Sequence, residues 1–246
     1  MIERVQVLFL MFFLLISCEK DEGSIGSENE ISTSINKIMP LGASRVEGAR
    51  PDYESYRYEL WKMLKDGGWT FDFIGTLDDE AAYPDYNGQS FDEDHEGRGG
   101  WTSGQIASGI STWFEQTGAP DIVLFSSPGG NDGLQNLSFD EALVNINSTI
   151  DYIQSANPNV TIIIEQLAPA HSDIMTQDLM NYLSQMQEAV TAIANAQTTS
   201  SSQVIAIDMF TGFSDDLLAD DVHYNGNGAK FIAERYYGVL ANVLEK

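Results

Sequence analysis

Short apolar runs alternate with longer amphipathic segments along most of the chain, a pattern typical of strands that alternate with helices. Five runs are short and mostly apolar, as strands buried within a sheet are: residues 37–41, 70–76, 121–127, 159–169 and 203–210. Each is followed by a segment with helical periodicity: residues 53–68, 102–118, 138–156, 174–197 and 227–245. The pattern predicts an α/β fold, a three-layer α/β/α sandwich around a five-stranded parallel sheet.

We expect a flavodoxin-like strand order, 2-1-3-4-5, for this sheet. Ligands of such sheets bind beyond the carboxyl ends of the strands where the strand order reverses, here between the first and third strands. The loops at that point are residues 42–48, "GASRVEG", and residues 126–133, "SSPGGNDG". Glycines in the second loop allow close approach to a ligand, and the Asn131 amide can hold developing negative charge. Ser44 in the first loop is therefore a candidate nucleophile.

A nucleophilic serine needs a base, and the chain has three histidines. His223 precedes the last helix and has Asp220 three positions upstream, a spacing that lets a carboxylate orient the imidazole. This pairing makes His223 the preferred base. His171, after the fourth strand, is the alternative base. His95 lies in the acidic stretch 92–96, which indicates a solvated loop or an incidental cation site.

The start of the chain is typical of an export signal. Residues 1–17 carry Arg4 near their start and then an apolar stretch that is short for a membrane span. The following "LISC" resembles a bacterial lipobox, in which Cys18, the single cysteine, would carry the lipid. We predict a lipoprotein signal peptide (1–17), a flexible Ser/Gly-rich tether (18–36) and one folded domain (37–246). The expected location is the bacterial cell envelope, with the protein lipid-anchored outside the cytoplasm, periplasmic or at the cell surface.

The charge of the chain excludes some classes of binding partner. It carries 37 acidic and 12 basic residues, a formal net charge of −25 at pH 7. Phosphate-rich partners would be repelled, so we expect no nucleic acid partner and contact with membranes only through the lipid anchor. Polyuronates would be repelled as well, which favours a neutral substrate.

Four segments, in order along residues 37–246, resemble the sequence blocks of the SGNH (GDSL-like) hydrolases. They are "IMPLGASRVEG", "HEGRGGW", "PGGND" and "DDVH", and the second has the form found in the family-three carbohydrate esterases. The resemblance implies Ser44 as nucleophile, His223 as base and Asp220 as the residue that orients the base. It also implies an oxyanion hole formed by the backbone N–H groups of Ser44 and Gly100 and the side-chain amide of Asn131.

The chain departs from the family pattern at two positions. Ala43 stands where the family usually has Asp, and Gly130 stands where it commonly has Thr. Loss of the carboxylate at position 43 would remove hydrogen bonds that pre-organise the nucleophile turn, without removing a proton-transfer group.

The function that we predict is hydrolysis of short-chain acyl esters, O-acetyl above all, on a carbohydrate, with no metal and no cofactor. The expected substrate is an acylated small molecule or a neutral glycan. Two alternatives stay open. One is a lipase-like or thioesterase-like SGNH hydrolase of small acyl esters. The other is a glycan-binding surface lipoprotein without catalysis, which Ala43 would favour.

Overall fold

The computed structural model of the protein describes residues 31–79 and 81–246. The predicted signal peptide, Cys18 and most of the predicted tether lie outside these ranges. Within these ranges no helix combines the length and the apolar character needed to cross a bilayer.

A parallel sheet forms the centre of the fold. Its strands, in chain order, are β1 (Lys37–Gly42), β2 (Asp72–Phe73), β3 (Glu96–Gly97), β4 (Ile122–Phe125), β5 (Thr161–Gln166) and β6 (Gln203–Asp208). They lie in the order β2-β1-β4-β5-β6, and β3 pairs with β1 outside this path. With the short β3 set aside, this order confirms the predicted 2-1-3-4-5 arrangement. The reversal point therefore lies between β1 and β4.

Seven helices accompany the sheet in the described part of the chain. They are α1 (Ser44–Glu47), α2 (Arg57–Asp66), α3 (Ser103–Thr117), α4 (Gly130–Leu134), α5 (Phe139–Ala156), α6 (Gln177–Gln197) and α7 (Gly226–Leu240). One core lies between the sheet and α2 with α7, where Leu60, Trp61 and Tyr236 are buried. The other lies between the sheet and α3, α5 and α6, where Ile110, Ile150 and Val190 are buried. These two cores confirm the predicted three-layer sandwich.

The edge beside β1 is shared between two short strands, which the apolar pattern did not predict. β2 pairs with β1 only at Lys37 and Ile38, whereas β3 pairs with it at Leu41 and Gly42. The predicted strand 70–76 therefore leaves the sheet after Phe73. Its continuation is held instead by the Glu96 side chain, which accepts a hydrogen bond from the backbone N–H of Thr76 at 2.6 Å.

The helix predicted over residues 53–68 begins at Arg57. The residues before it serve a different purpose, because Tyr53 pairs antiparallel with Ala49 and Glu54 pairs antiparallel with Tyr224. The Glu54 N–H donates to the Tyr224 carbonyl at 2.8 Å. This segment connects the loop after β1 with the loop before α7.

Candidate active site

Ser44 lies where β1 ends, as the first residue of α1. Gly42 permits this sharp turn, because a Cβ there would lie 2.8 Å from Val46 and 2.9 Å from the Ser126 carbonyl oxygen. Ala43 caps α1 with its carbonyl, which accepts from the N–H groups of Val46 and Glu47, but it offers no side-chain acceptor. The strand and this short helix hold the serine at the carboxyl edge of the sheet, as the strand order predicts.

A hydrogen-bonded chain connects Ser44 with His223 and Asp220. The Ser44 Oγ lies 2.8 Å from His223 Nε2, and His223 Nδ1 lies 2.7 Å from an Asp220 carboxylate oxygen. A proton on Nδ1 can bond to the carboxylate, which leaves Nε2 free to accept the Ser44 proton. The arrangement can therefore activate a hydroxyl for attack on a carbonyl carbon.

Asp220 is held as a carboxylate. Burial opposes its ionisation, but hydrogen bonds from the Val222 N–H, the His223 ring and the His223 N–H outweigh that effect and lower the pKa of Asp220. The two N–H groups lie 2.8 Å and 2.7 Å from one carboxylate oxygen. The loop thus orients the acid that in turn orients the imidazole.

The Tyr53 ring covers one face of the His223 imidazole. The two ring centroids are 3.8 Å apart, and the ring planes differ by 13°. The antiparallel pairing of Tyr53 with Ala49 ties this ring to the loop that carries Ser44. Sequence reasoning missed Tyr53, because no motif contains it and 170 positions of the chain separate it from His223.

Asn131 lines the same cavity as Ser44. Its Nδ2 donates to the Trp101 carbonyl at 2.8 Å, and a side-chain amide carries a second N–H that remains for another acceptor. Among the described residues the backbone N–H groups of Ser44 and Gly100 have no acceptor. Gly100, in the left-handed region at φ 75°, directly precedes Trp101. These three donors are the ones that the resemblance implies for an oxyanion.

Asp132 fastens the segment that carries Asn131. Its carboxylate is buried and accepts from the Ser103 N–H at 2.8 Å and from the Ser103 hydroxyl at 2.7 Å. Ser103 is the first residue of α3, so these bonds join the start of α3 to α4. Ser103 follows Gly100 and Trp101 closely, which brings the glycine segment and Asn131 to the same place.

Arg45 is a second residue that sequence reasoning missed. Its guanidinium donates to three carbonyls, those of Val222, Ala168 and Pro169, at distances of 2.8, 2.8 and 2.9 Å. It therefore ties the nucleophile helix both to the loop after β5 and to the histidine loop. Its position directly after Ser44 places Arg45 near the site, but the sequence does not indicate its distant carbonyl partners.

A buried carboxylate supports the loop after β4. Glu165 accepts from the Ser127 N–H at 2.7 Å, from the Ser126 hydroxyl at 3.0 Å and from the Tyr236 hydroxyl at 2.7 Å. Burial raises the pKa of Glu165 above its ordinary value. Ser127 adopts φ 47°, a conformation that a side chain rarely favours, and the hydrogen bond to Glu165 helps to hold it there.

The remaining two histidines do not contact Ser44. The backbone N–H of His171 donates to the Asp221 carbonyl at 2.7 Å, and the His171 ring lies near the carboxylates of Asp173 and Asp215. His95 is buried with 1% of its surface exposed, so the prediction of a solvated loop at His95 is wrong. Burial and the nearby Arg57 charge lower the pKa of His95 to about 4, against the hydrogen bond to Asp79. The structure therefore places the neutral imidazole of His95 inside the fold, where its Nε2 faces Asp79 at 3.3 Å.

Across the ranges that the structure describes, no group of three or more His, Cys, Asp or Glu residues is arranged to hold a metal ion. Two carboxylates of the acidic stretch 92–96 bond to other groups of the protein. The Asp92 carboxylate accepts from the Phe73 N–H at 2.7 Å, and Glu96 pairs with Arg98 at 2.9 Å.

A narrow cavity of about 50 Å³ opens beside Ser44. Its walls are mostly apolar and include Leu134, Leu167, Leu179, Leu183 and Val222. We call it the acyl cavity, because it begins at the hydroxyl that the histidine would activate. The polar residues of its lining are Ser44, Arg45, Ser127 and Asn131.

A family model and several solved structures are similar to this chain. The GDSL-like Lipase/Acylhydrolase family model matches residues 66–231, a range that begins after Ser44 and includes Asn131 and His223. No curated protein sequence matches the chain.

Three solved structures are similar over most of both chains. A carbohydrate esterase family 3 protein from Talaromyces cellulolyticus is 27% identical with a TM-score of 0.73, covering 85% of this chain and 98% of its own. An acetyl esterase mutant with acetate ion is 29% identical with a TM-score of 0.73 and the same coverage. A family 3 carbohydrate esterase from Clostridium thermocellum is 28% identical with a TM-score of 0.67, covering 85% of this chain and 96% of its own.

The family match covers most of the described domain, and the carbohydrate esterase structure covers 85% of this chain. The chain therefore belongs to the GDSL-like lipase/acylhydrolase family and is a serine ester hydrolase with the SGNH fold.

Proposed function

We propose that this hydrolase removes short acyl groups, O-acetyl groups above all, from a neutral carbohydrate. The observation that carries the proposal is that the hydrogen-bonded chain of Ser44, His223 and Asp220 ends at an acyl cavity of only about 50 Å³.

In the proposed mechanism, His223 Nε2 takes the Ser44 proton while Oγ attacks the ester carbonyl carbon. The N–H groups of Ser44 and Gly100 and the Asn131 amide bind the resulting oxyanion. The imidazolium, held by Asp220, then gives its proton to the leaving alkoxide, which departs as an alcohol. Water, deprotonated by the same imidazole, attacks the acyl-serine and releases the carboxylic acid together with free Ser44.

The size of the acyl cavity favours a short acyl group. One water needs roughly 10–15 Å³ of comparable space, so the cavity accommodates only a few heavy atoms. Its apolar lining suits a methyl or ethyl group better than a polar one. A lipase-like enzyme would need a longer apolar channel for its acyl chain.

The proposed carrier is a neutral glycan. The formal net charge of −25 repels polyuronates at low salt over a Debye length of about 10 Å at 0.1 M ionic strength. Two of the similar structures are carbohydrate esterases by name, and a third is an acetyl esterase. The names support a carbohydrate ester as the substrate class.

The proposed location is the cell envelope, with Cys18 as the lipid attachment site, since "LISC" resembles a lipobox. A Cys18→Ser variant should then move from the membrane fraction to the soluble fraction. If the variant stays membrane-bound after a salt wash, the lipid anchor is excluded.

A chain-length series tests the proposed reaction. We expect kcat/KM for aryl esters to fall from acetate through butyrate to octanoate, and we expect acetate release from a neutral acetylated glycan. A rate that rises toward octanoate would instead favour the lipase-like alternative. Glycan binding with no turnover on any ester would favour the binding protein.

A further inference from the structure

A second cavity, of about 650 Å³, lies beside the active site. We call it the acidic cavity and define it by Glu47, Arg50, Tyr53, Asp79, Tyr83 and His95, which line it. We infer that it binds the sugar unit next to the one that carries the ester, and that it selects neutral, hydroxyl-rich units. The inference rests on the proposed function and assigns part of its substrate to a place in the fold.

The acidic cavity lies next to the catalytic residues, because helix α1 and Tyr53 belong to both. Helix α1 begins at Ser44 and ends at Glu47, so about one helical turn, roughly 5 Å, separates the nucleophile from this cavity. Tyr53 lines the cavity and also stacks on His223. A chain of sugars with its ester at Ser44 can therefore extend past Tyr53 into the acidic cavity.

A buried carboxylate in the wall has an unused acceptor. Asp79 is 8% exposed, and its Oδ1 pairs with Arg57 at 2.6 Å and with His95 at 3.3 Å. Burial opposes its ionisation, but the hydrogen bonds from His95 and Tyr83 and the Arg57 charge outweigh it and lower the pKa of Asp79. Its Oδ2 is buried and makes no hydrogen bond of ordinary geometry among the described residues, although the Tyr83 hydroxyl is close enough to lower the pKa of Asp79. Such an oxygen is costly to leave unpaired, and a sugar hydroxyl can donate to it.

An unused donor lies in the same wall. Arg50 Nη1 is buried without a partner in the described part of the chain, while Arg50 Nε pairs with Glu54 at 3.1 Å. A hydroxyl both donates and accepts, so a sugar can satisfy both the carboxylate and the guanidinium. The Arg50 guanidinium lies over the Tyr83 ring, 5.1 Å from its centroid, which positions this donor in the cavity wall.

The charge of the wall sets the selectivity. Four acidic residues, Glu47, Asp52, Asp78 and Asp79, line the cavity, whereas Arg50 is the one basic residue in its described lining and Arg57 pairs with Asp79 behind it. A uronate unit would bring a further negative charge within a Debye length of these carboxylates, so it would be repelled most strongly at low salt. A neutral unit avoids that cost.

Calorimetric titration of the full-length Ser44→Ala protein tests the inference directly. The probes are xylotetraose, cellotetraose and mannotetraose as neutral sugars and tetragalacturonate as the acidic one. We expect at least one neutral tetraose to bind and tetragalacturonate to bind at least tenfold more weakly. Adding Arg50→Gln, or Ala49→Trp to fill the cavity from an exposed position, should weaken neutral tetraose binding at least tenfold. The matched control is Lys230→Gln, an exposed change on α7, which should leave binding as it is.

The inference is overturned if no neutral tetraose binds, or if both cavity variants bind as tightly as the Ser44→Ala parent. Acetate release by the wild-type protein from a monosaccharide O-acetate tests the proposed function separately. Release from that ester without tetraose binding would overturn the acidic-cavity inference and leave the proposed function standing. Tetraose binding without release from any sugar ester would support the cavity as a glycan site and remove the proposed function.

Discussion

Tyr53 and His223 lie face to face, with ring centroids 3.8 Å apart and planes 13° from parallel. The hydrogen bonds to Asp220 and Ser44 fix the edges of the imidazole, and the tyrosine fixes its face. An aromatic face also attracts a cation, so the stack favours the imidazolium that forms during acyl transfer.

Tyr53→Ala should therefore lower kcat on aryl acetate about tenfold, as expected for the loss of roughly 1–2 kcal/mol of cation–π and stacking energy. Tyr53→Phe keeps the ring and should retain at least half of kcat. The measurement is steady-state kinetics on all three proteins. Equal impairment of the Phe and Ala variants would show that the hydroxyl, and not the stacked ring, is what matters.

Arg45→Met should destabilise the fold, because three carbonyls lose their donor. We expect a loss on the order of 3 kcal/mol in the free energy of unfolding, from about 1 kcal/mol per hydrogen bond. This corresponds to a fall in Tm of roughly 6–12 °C for a domain of this size. Thermal melts followed by circular dichroism measure the fall in Tm. Arg45→Lys can replace only some of the guanidinium's hydrogen bonds, so its Tm should lie between those of the wild type and Arg45→Met. A Tm unchanged in Arg45→Met would contradict this role.

Much of the fold could be predicted from the sequence because it follows from local pattern, and the pairing of Ser44 with His223 could be predicted from the strand order together with the family resemblance. Apolar runs located the strands, and the reversal of strand order placed the loops of Ser44 and Asn131 together. The spacing of Asp220 and His223 within one tight loop predicted their hydrogen bond, which the structure contains at 2.7 Å.

The rest depended on contacts between residues distant in sequence. His95 lies in an acidic stretch, so composition suggested solvent, whereas its ring is buried against Asp79 and near the buried Arg57. Residues 96–97 pair with the end of β1, at Leu41 and Gly42, beyond the residues of β1 that pair with β2. Neither fact is visible in local periodicity.

Stability should depend on pH through Asp92. Burial, with the charges of Asp72 and Asp94, raises the pKa of Asp92 from 3.8 to about 7, against the hydrogen bond from the Phe73 N–H. Between these values the folded state keeps a proton that the unfolded state releases, so this group costs stability as pH rises from about 4 to 7. A shift of about three units bounds the effect at roughly 4 kcal/mol.

Asp92→Asn removes this titration. The Tm of the variant minus that of the wild type should therefore increase by several degrees from pH 4 to pH 8. Thermal melts at several pH values measure the trend. The Tm difference between the variant and the wild type at pH 4 gives the effect of the substitution on hydrogen bonding, and the change of that difference with pH reports the titration of Asp92. A difference that stays flat or decreases with pH would refute the raised pKa.

The acyl cavity should widen when Leu134 is shortened. Leu134 lines it and is 39% exposed, whereas Leu137, 46% exposed and three residues later, does not line it. Leu134→Ala should raise the butyrate-to-acetate ratio of kcat/KM about fivefold, from roughly 1 kcal/mol of relieved crowding. Leu137→Ala is the matched control and should leave the ratio unchanged. An equal response in both variants would rule out a selective role for Leu134.

The most direct test of the account is kcat/KM for an aryl acetate in the wild type and in three single variants. Ser44→Ala and His223→Ala should each lose at least about 10³-fold while keeping wild-type circular dichroism spectra, because each removes one member of a unit that acts together. His171→Ala, the matched histidine control outside the hydrogen-bonded chain, should keep at least half of the wild-type rate. A Ser44→Ala protein that retains more than a tenth of wild-type activity would contradict the central claim that Ser44 is the nucleophile.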